Sequence, residues 1–145
     1  MKIALILALM LMPIVSAVSD TTPPSIVSFD FEPTVVDVTQ SDQDITFTMQ
    51  LKDDLSGVYG AWDAYFESPS GNQTTGVIFF DSNLVSGDKL NGTYVANMTI
   101  LQYSERGKWH EFFLAGGDKA GNRIQINNEK EIEKLGFPTV IEVKS

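Results

Sequence analysis

Two turn motifs carry most of the oxygen chemistry in this chain: Asp53-Asp54-Leu55-Ser56-Gly57-Val58 and Gly117-Asp118-Lys119-Ala120-Gly121-Asn122. Each follows a run that reads as a β-strand, and each sets oxygen-bearing side chains beside glycine. Calcium draws about six to eight oxygens at roughly 2.3–2.6 Å from carboxylates and carbonyls. Asp53, Asp54, Ser56, Asp118 and Asn122 are therefore the candidate metal ligands, and calcium is the one cofactor the sequence suggests. Asp20 joins them if the N-terminal segment starts at the same end of the fold. The competing reading is structural. Asp and Asn bond to the backbone two residues on, and Gly57 and Gly121 supply positive φ. No stretch has the spacing of an EF-hand loop.

Other side chains suggest other chemistry. Asn72-Gln73-Thr74, Asn91-Gly92-Thr93 and Asn97-Met98-Thr99 fit the glycosylation pattern, which makes Asn72, Asn91 and Asn97 candidate glycan acceptors. Tyr59 and Tyr65 fall on the wet face of one predicted strand, where a row of rings could stack on a sugar. Trp62 lies on the opposite face of that strand, where packing is its ordinary work. Tyr103, at a corner, could bond its hydroxyl to backbone as a cap. Catalysis finds little to use. His110 is the single histidine and there is no cysteine. No Gly-x-Ser-x-Gly elbow occurs, no carboxylate pair is marked as acid and base, and Gly116-Gly117 lacks the spacing of a phosphate loop. No catalytic residue is assigned.

The elements that must position these groups read as strands. Ile45, Phe47, Met49 and Leu51 alternate with Thr46, Thr48, Gln50 and Lys52, the period of a half-buried strand. Val58 to Glu67 follows, with Trp62, Ala64 and Phe66 inward. Thr93 to Ile100 alternates again. In Lys108 to Gly116 the parity breaks, since Trp109 and Leu114 cannot both face inward without a β-bulge between them. Further extended runs are expected over 25–31, 34–39, 76–84, 123–127 and 139–144. A short helical turn is expected near 128–135, where Glu and Lys favour it. About seven to nine short strands divided by Gly, Pro, Asn and Asp turns read as an all-β antiparallel sandwich.

Residues 1–17 read as a cleaved export signal: Met1-Lys2, an apolar run from Ile3 to Val15, then Val15-Ser16-Ala17 for the peptidase. That run falls short of the roughly 20 residues a bilayer span needs, so no transmembrane segment is expected after signal removal. Residues 18–24 read as a linker stiffened by Pro23-Pro24, and 25–145 as one domain. The formal charge of −9 should repel nucleic acid and anionic lipid. A fold without disulfides must rely on packing.

The ordered set of Thr-Pro-Pro, Asp-Asp-Leu-Ser-Gly-Val, Ser-Pro-Ser-Gly-Asn, Leu-Asn-Gly-Thr-Tyr, Gln-Tyr-Ser-Glu-Arg-Gly-Lys-Trp, Asp-Lys-Ala-Gly-Asn and Leu-Gly-Phe-Pro resembles a prokaryotic extracellular Ig-like domain. That resemblance, a bacterial or archaeal Ig-like surface module, covers nearly all of 21–145. It implies Ig-like topology, and in related adhesin modules similar acidic turns hold calcium. It implies no single activity, because function resides in sites grafted on folds. The expectation is an exported, non-enzymatic interaction or structural module with candidate glycan acceptors, secreted or on the envelope exterior, the periplasm included. Its expected partner is a protein or glycan at the cell surface, with the chain monomeric or weakly self-associating. A carbohydrate-binding face on Tyr59 and Tyr65 is the alternative. A hydrolase built on His110 is a third reading.

Overall fold

The computed structural model describes residues 17–145. All of the leader expected over 1–17 except Ala17 lies outside the described residues. Among these described residues, ten strands form two sheets: β1 Ser25–Glu32, β2 Val35–Asp37, β3 Gln43–Lys52, β4 Val58–Glu67, β5 Thr74–Phe79, β6 Leu84–Gly87, β7 Asn91–Ile100, β8 Gly107–Asp118, β9 Arg123–Ile126 and β10 Val140–Lys144. One sheet runs β1-β3-β7-β6. The other runs β2-β10-β8-β4-β5, with β9 paired to β8 beyond the reach of β10. Only β2 and β10 pair in parallel. The all-β class with two sheets and one short helix, read from alternation, is the class observed.

Alternation explains the layers. Ile45, Phe47, Met49 and Leu51 of β3 are all buried, and so are Trp62, Ala64 and Phe66 of β4. The sheets meet through these rows, with the Phe47 and Phe66 rings 5.7 Å apart and Phe31 edge-on to Phe66 at 5.5 Å. Strand β5 buries Val77 and Phe79, which decides a register that alternation leaves open. The run expected over 76–84 divides after Phe79 into a single 3₁₀ turn at Asp81–Asn83 and the short β6. The helical turn forms as α1, Glu129–Lys134. Asn128 caps it through its side chain and Ile132 seats it on the core.

The parity break in β8 has the expected cause. Between Tyr65 and Phe66 of β4 the partner jumps from Phe113 to Glu111, a bulge that lets Trp109 and Leu114 both point inward. Glu111 also points inward. It is fully buried and neither carboxyl oxygen has a hydrogen-bond partner. Desolvation, reinforced by the nearby Glu129 carboxylate, pushes its pKa up to about 9. The glycine at 116 has a packing reason: a Cβ there would lie 2.0 Å from the Trp62 ring.

Two outcomes follow from this core. Folded Glu111 keeps a proton that the unfolded chain releases near its ordinary value of 4.5. Stability should therefore be fullest below that pH and fall as pH rises toward 9, by about 1.4 kcal/mol per unit for this one group. Glu111→Gln should flatten that slope and be the more stable protein at pH 8. Urea denaturation between pH 5 and 9 measures both, and an unchanged slope would show that Glu111 ionises freely. Gly116→Ala should lower stability by roughly 1–3 kcal/mol through overpacking against Trp62, read as a drop in Tm.

Candidate functional site

Strand β3 ends at Lys52, β8 ends at Asp118, and β1 begins at Ser25 beside Lys52. The two acidic turns and the linker thus meet at one pole. The turns are tied directly, Lys119 N donating to Gly57 O at 3.0 Å. The turn before β7 closes the group, since Asp53 N donates to Leu90 O (2.9 Å) and Val58 N to Lys89 O (2.8 Å). Gly57 and Gly121 both hold positive φ, 87° and 92°, the conformation their turns require.

Within this pole Asp53 is nearly fully buried. Its Oδ2 accepts the amides of Leu55 (3.1 Å) and Gly57 (2.6 Å). Its Oδ1 is buried with no partner. Asp20 closes over it from the linker, Oδ1 accepting Thr22 N (3.1 Å) and Oδ2 accepting Ser56 N (2.9 Å). One carboxylate oxygen each from Asp20, Asp53 and Asp54 lie within 4.8 Å of one another. Neither ion pair among the described residues, Lys89 with Asp81 and His110 with Glu129, involves any of the three.

The remaining predicted ligands divide. Ser56 Oγ is buried without a hydrogen-bond partner in the static geometry. It nonetheless lies near enough to be the first cause holding the Asp20 carboxyl below its ordinary range, against a weaker opposing effect of burial. Asp118 and Asn122 hold each other: Asp118 Oδ1 accepts Asn122 N (2.9 Å) and Oδ2 accepts Asn122 Nδ2 (2.8 Å). Asn122 Nδ2 also reaches Asp20 O and Oδ1 at 3.4 Å. These two therefore shape their turn and steady Asp20. The cluster is Asp20, Asp53 and Asp54, with Ser56 beside it. Three close carboxylates repel, and a buried oxygen without a partner costs about 1–3 kcal/mol. A hard divalent cation would offset both terms, using free carboxylate oxygens with carbonyls and water to complete its shell.

The other candidates fare unevenly. Asn72, Asn91 and Asn97 are all exposed. Tyr59 is exposed, but Tyr65 is half-buried, its ring 5.7 Å from Phe113 and 6.5 Å from Phe112. The pairing of β4 with β8 is also irregular between Tyr59 and Asp63. Of the two tyrosines expected to form a stacking row, Tyr59 is the fully exposed one and Tyr65 shares its face with Phe112 and Phe113. Tyr103 is three-quarters exposed, and its backbone N–H, not its hydroxyl, ties it in, donating to Val38 O at 3.1 Å. His110 Nδ1 lies 2.6 Å from Glu129 Oε1, and the Thr139 hydroxyl donates to that same oxygen at 3.1 Å. The carboxylate sits between hydroxyl and imidazole, whereas activation of a hydroxyl needs the imidazole in the middle.

The sequence signals Asp20 only through its position at the start of the domain. Glu111 shares the parity of the inward Trp109, and the position of the bulge at Phe112 keeps it on that face. Asp53→Ala should cost roughly 1–2 kcal/mol in EDTA, because two turn amides lose their acceptor. Asp54 is exposed and absent from the described side-chain hydrogen bonds, so Asp54→Ala should change stability by less than about 0.5 kcal/mol there. Equilibrium unfolding in EDTA compares them, and equal losses would mean Asp53 holds no turn.

A family model described as a domain of unknown function, DUF7743, matches residues 18–144. The chain belongs to that family. No curated protein and no solved structure matches it.

Proposed function

We propose that this DUF7743 member is an exported, non-enzymatic Ig-like module, secreted or held on the envelope exterior, whose acidic pole is closed by calcium. It works as a rigid interaction or structural unit toward a protein or glycan at the cell surface. The observation that carries the reading is Asp53: its Oδ1 is buried without a partner, and one of its carboxylate oxygens lies within 4.8 Å of an oxygen of Asp20 and one of Asp54. Asp20 belongs to the linker, so a bound ion would clamp residues 18–24 to the body of the fold and set the direction in which the chain enters. The apolar leader over 1–17 supports export. The two-sheet all-β fold is compatible with the Ig-like resemblance.

The test is the melting temperature of the full chain in EDTA, in millimolar calcium and in millimolar magnesium. A ligand at about 100 times its dissociation constant adds about 2.7 kcal/mol, a rise of several degrees for a domain of this size. Calcium should give that rise. Asp54→Asn and Asp20→Asn should abolish it while leaving the melting temperature in EDTA within a degree or two. No calcium-specific rise, or a rise that survives both substitutions, would overturn the reading.

A further inference from the structure

At the pole opposite the acidic turns, the 68–73 turn, the start of β5, the end of β7 and the 101–106 corner enclose a cleft of about 440 Å³. That volume is within the range of small-molecule sites, roughly 300–1,000 Å³. The chain is 20% charged with a net charge of −9, yet every residue lining this cleft is uncharged. Amides and hydroxyls, from Gln73, Thr75, Thr99, Gln102 and Ser104, share the lining about equally with apolar surface, with buried Trp109 among the lining residues and Tyr103 exposed. Tyr103 is the one non-glycine residue described at positive φ, 63°. Residues held in that region persist where the surroundings over-determine them, and they cluster at ligand sites.

The polar groups are held in place. Gln73 Oε1 accepts Glu105 N at 2.8 Å, so its NH₂ group is the part that bond does not use. Gln102 Nε2 donates to Thr39 O at 3.3 Å, so its carbonyl oxygen is likewise unused by that bond. Glu105 cross-ties the walls, accepting both Ser70 N (3.0 Å) and the Ser70 hydroxyl (2.5 Å). Two amides that line the cleft together with an exposed ring are thus each held at one end, an arrangement that loses little ordering entropy on binding.

We propose that this cleft binds a neutral carbohydrate, with Tyr103 as the stacking platform and the Gln73 and Gln102 amides as its fixed hydrogen-bond partners. Sugar hydroxyls both donate and accept, and the axial C–H face of a pyranose matches an aromatic ring. Anionic ligands are disfavoured by neighbouring carboxylates: Asp42 accepts Gln102 N at 2.7 Å, Asp44 accepts the Thr99 hydroxyl at 2.6 Å, and Glu105 adjoins Ser104. A wholly apolar ligand would strand the amides and hydroxyls. The assignment does not depend on the cation reading. Asn72 also lines the cleft, so a glycan attached there would cover it, and the test uses protein made without glycosylation.

The experiment is an amide and indole NMR titration of the full chain with cellotetraose, maltotetraose and α-mannotetraose, with tetragalacturonate as the anionic control. At least one neutral sugar should shift the amides of 72–75 and 99–104 and the Trp109 indole with saturation. Tetragalacturonate should bind at least tenfold more weakly. Tyr103→Gly relieves the backbone conformation while removing the ring, so it should keep or raise the melting temperature and lose at least tenfold in affinity. Tyr59→Ala should leave affinity unchanged. The proposal is overturned if none of the neutral sugars binds at 10 mM, if the shifts centre elsewhere, if the anion binds as well, or if Tyr103→Gly binds normally.

Discussion

The contact between the inward rows of β3 and β4 is the constraint on which the rest of this structure depends. Strand β3 lies between β1 and β7 in one sheet, and β4 lies between β8 and β5 in the other. Phe47 and Phe66 meet across the gap, with Phe29 and Phe31 extending the ring cluster from the edge strand. Edge-to-face and tilted rings add about 0.5–1.5 kcal/mol per pair beyond the area they bury. With no cysteine in the chain, this packing carries the load that disulfides bear in many secreted domains. It also fixes register, because sliding β3 by one residue would send Ile45, Phe47, Met49 and Leu51 to water together.

Once β3, β4, β7 and β8 are in register, both poles are set. Strands that finish at one end bring three turns and the linker to the same place, and carboxylates distant in sequence become neighbours. Asp53 illustrates the result. One of its oxygens does ordinary turn work on two backbone amides, while the other is buried with no partner. A turn alone needs only the first. The opposite pole has another character. Its loops meet through amides and hydroxyls, and the neighbouring carboxylates are occupied by hydrogen bonds from the loops and from the end of β7. Two ends of one sandwich thus offer different chemistry, a hard anionic cluster and a neutral polar cleft.

Glu111 shows how placement along a strand can impose an electrostatic burden. The bulge that reconciles Trp109 with Leu114 falls at Phe112, after Glu111, so the glutamate stays on the inward face it shares with Trp109, where desolvation keeps it protonated. The same strand carries His110 toward Glu129 and Thr139, so a short stretch holds a neutral buried acid and a surface histidine–glutamate pair side by side. Alternating placement along a strand is enough to separate such environments by one residue.

The sequence by itself determined the elements with clean periodicity. The period-two rows of β3, β4 and β7 declared their inward faces, the helix formers after Asn128 announced α1, and the parity conflict between Trp109 and Leu114 required a bulge. Tertiary structure alone decided which distant side chains share a site. Asp20 reaches Asp53 because β1 starts where β3 ends, Tyr65 is half-buried because Phe112 and Phe113 lie beside it, and Gln73 and Gln102 line one cleft because two loops meet at the same pole. The physical reason is one of range. Alternation acts between neighbours two residues apart and leaves its mark in the local sequence, whereas a site at the end of a sandwich is made by strand pairing across tens of residues, and no residue in it carries a record of its partner.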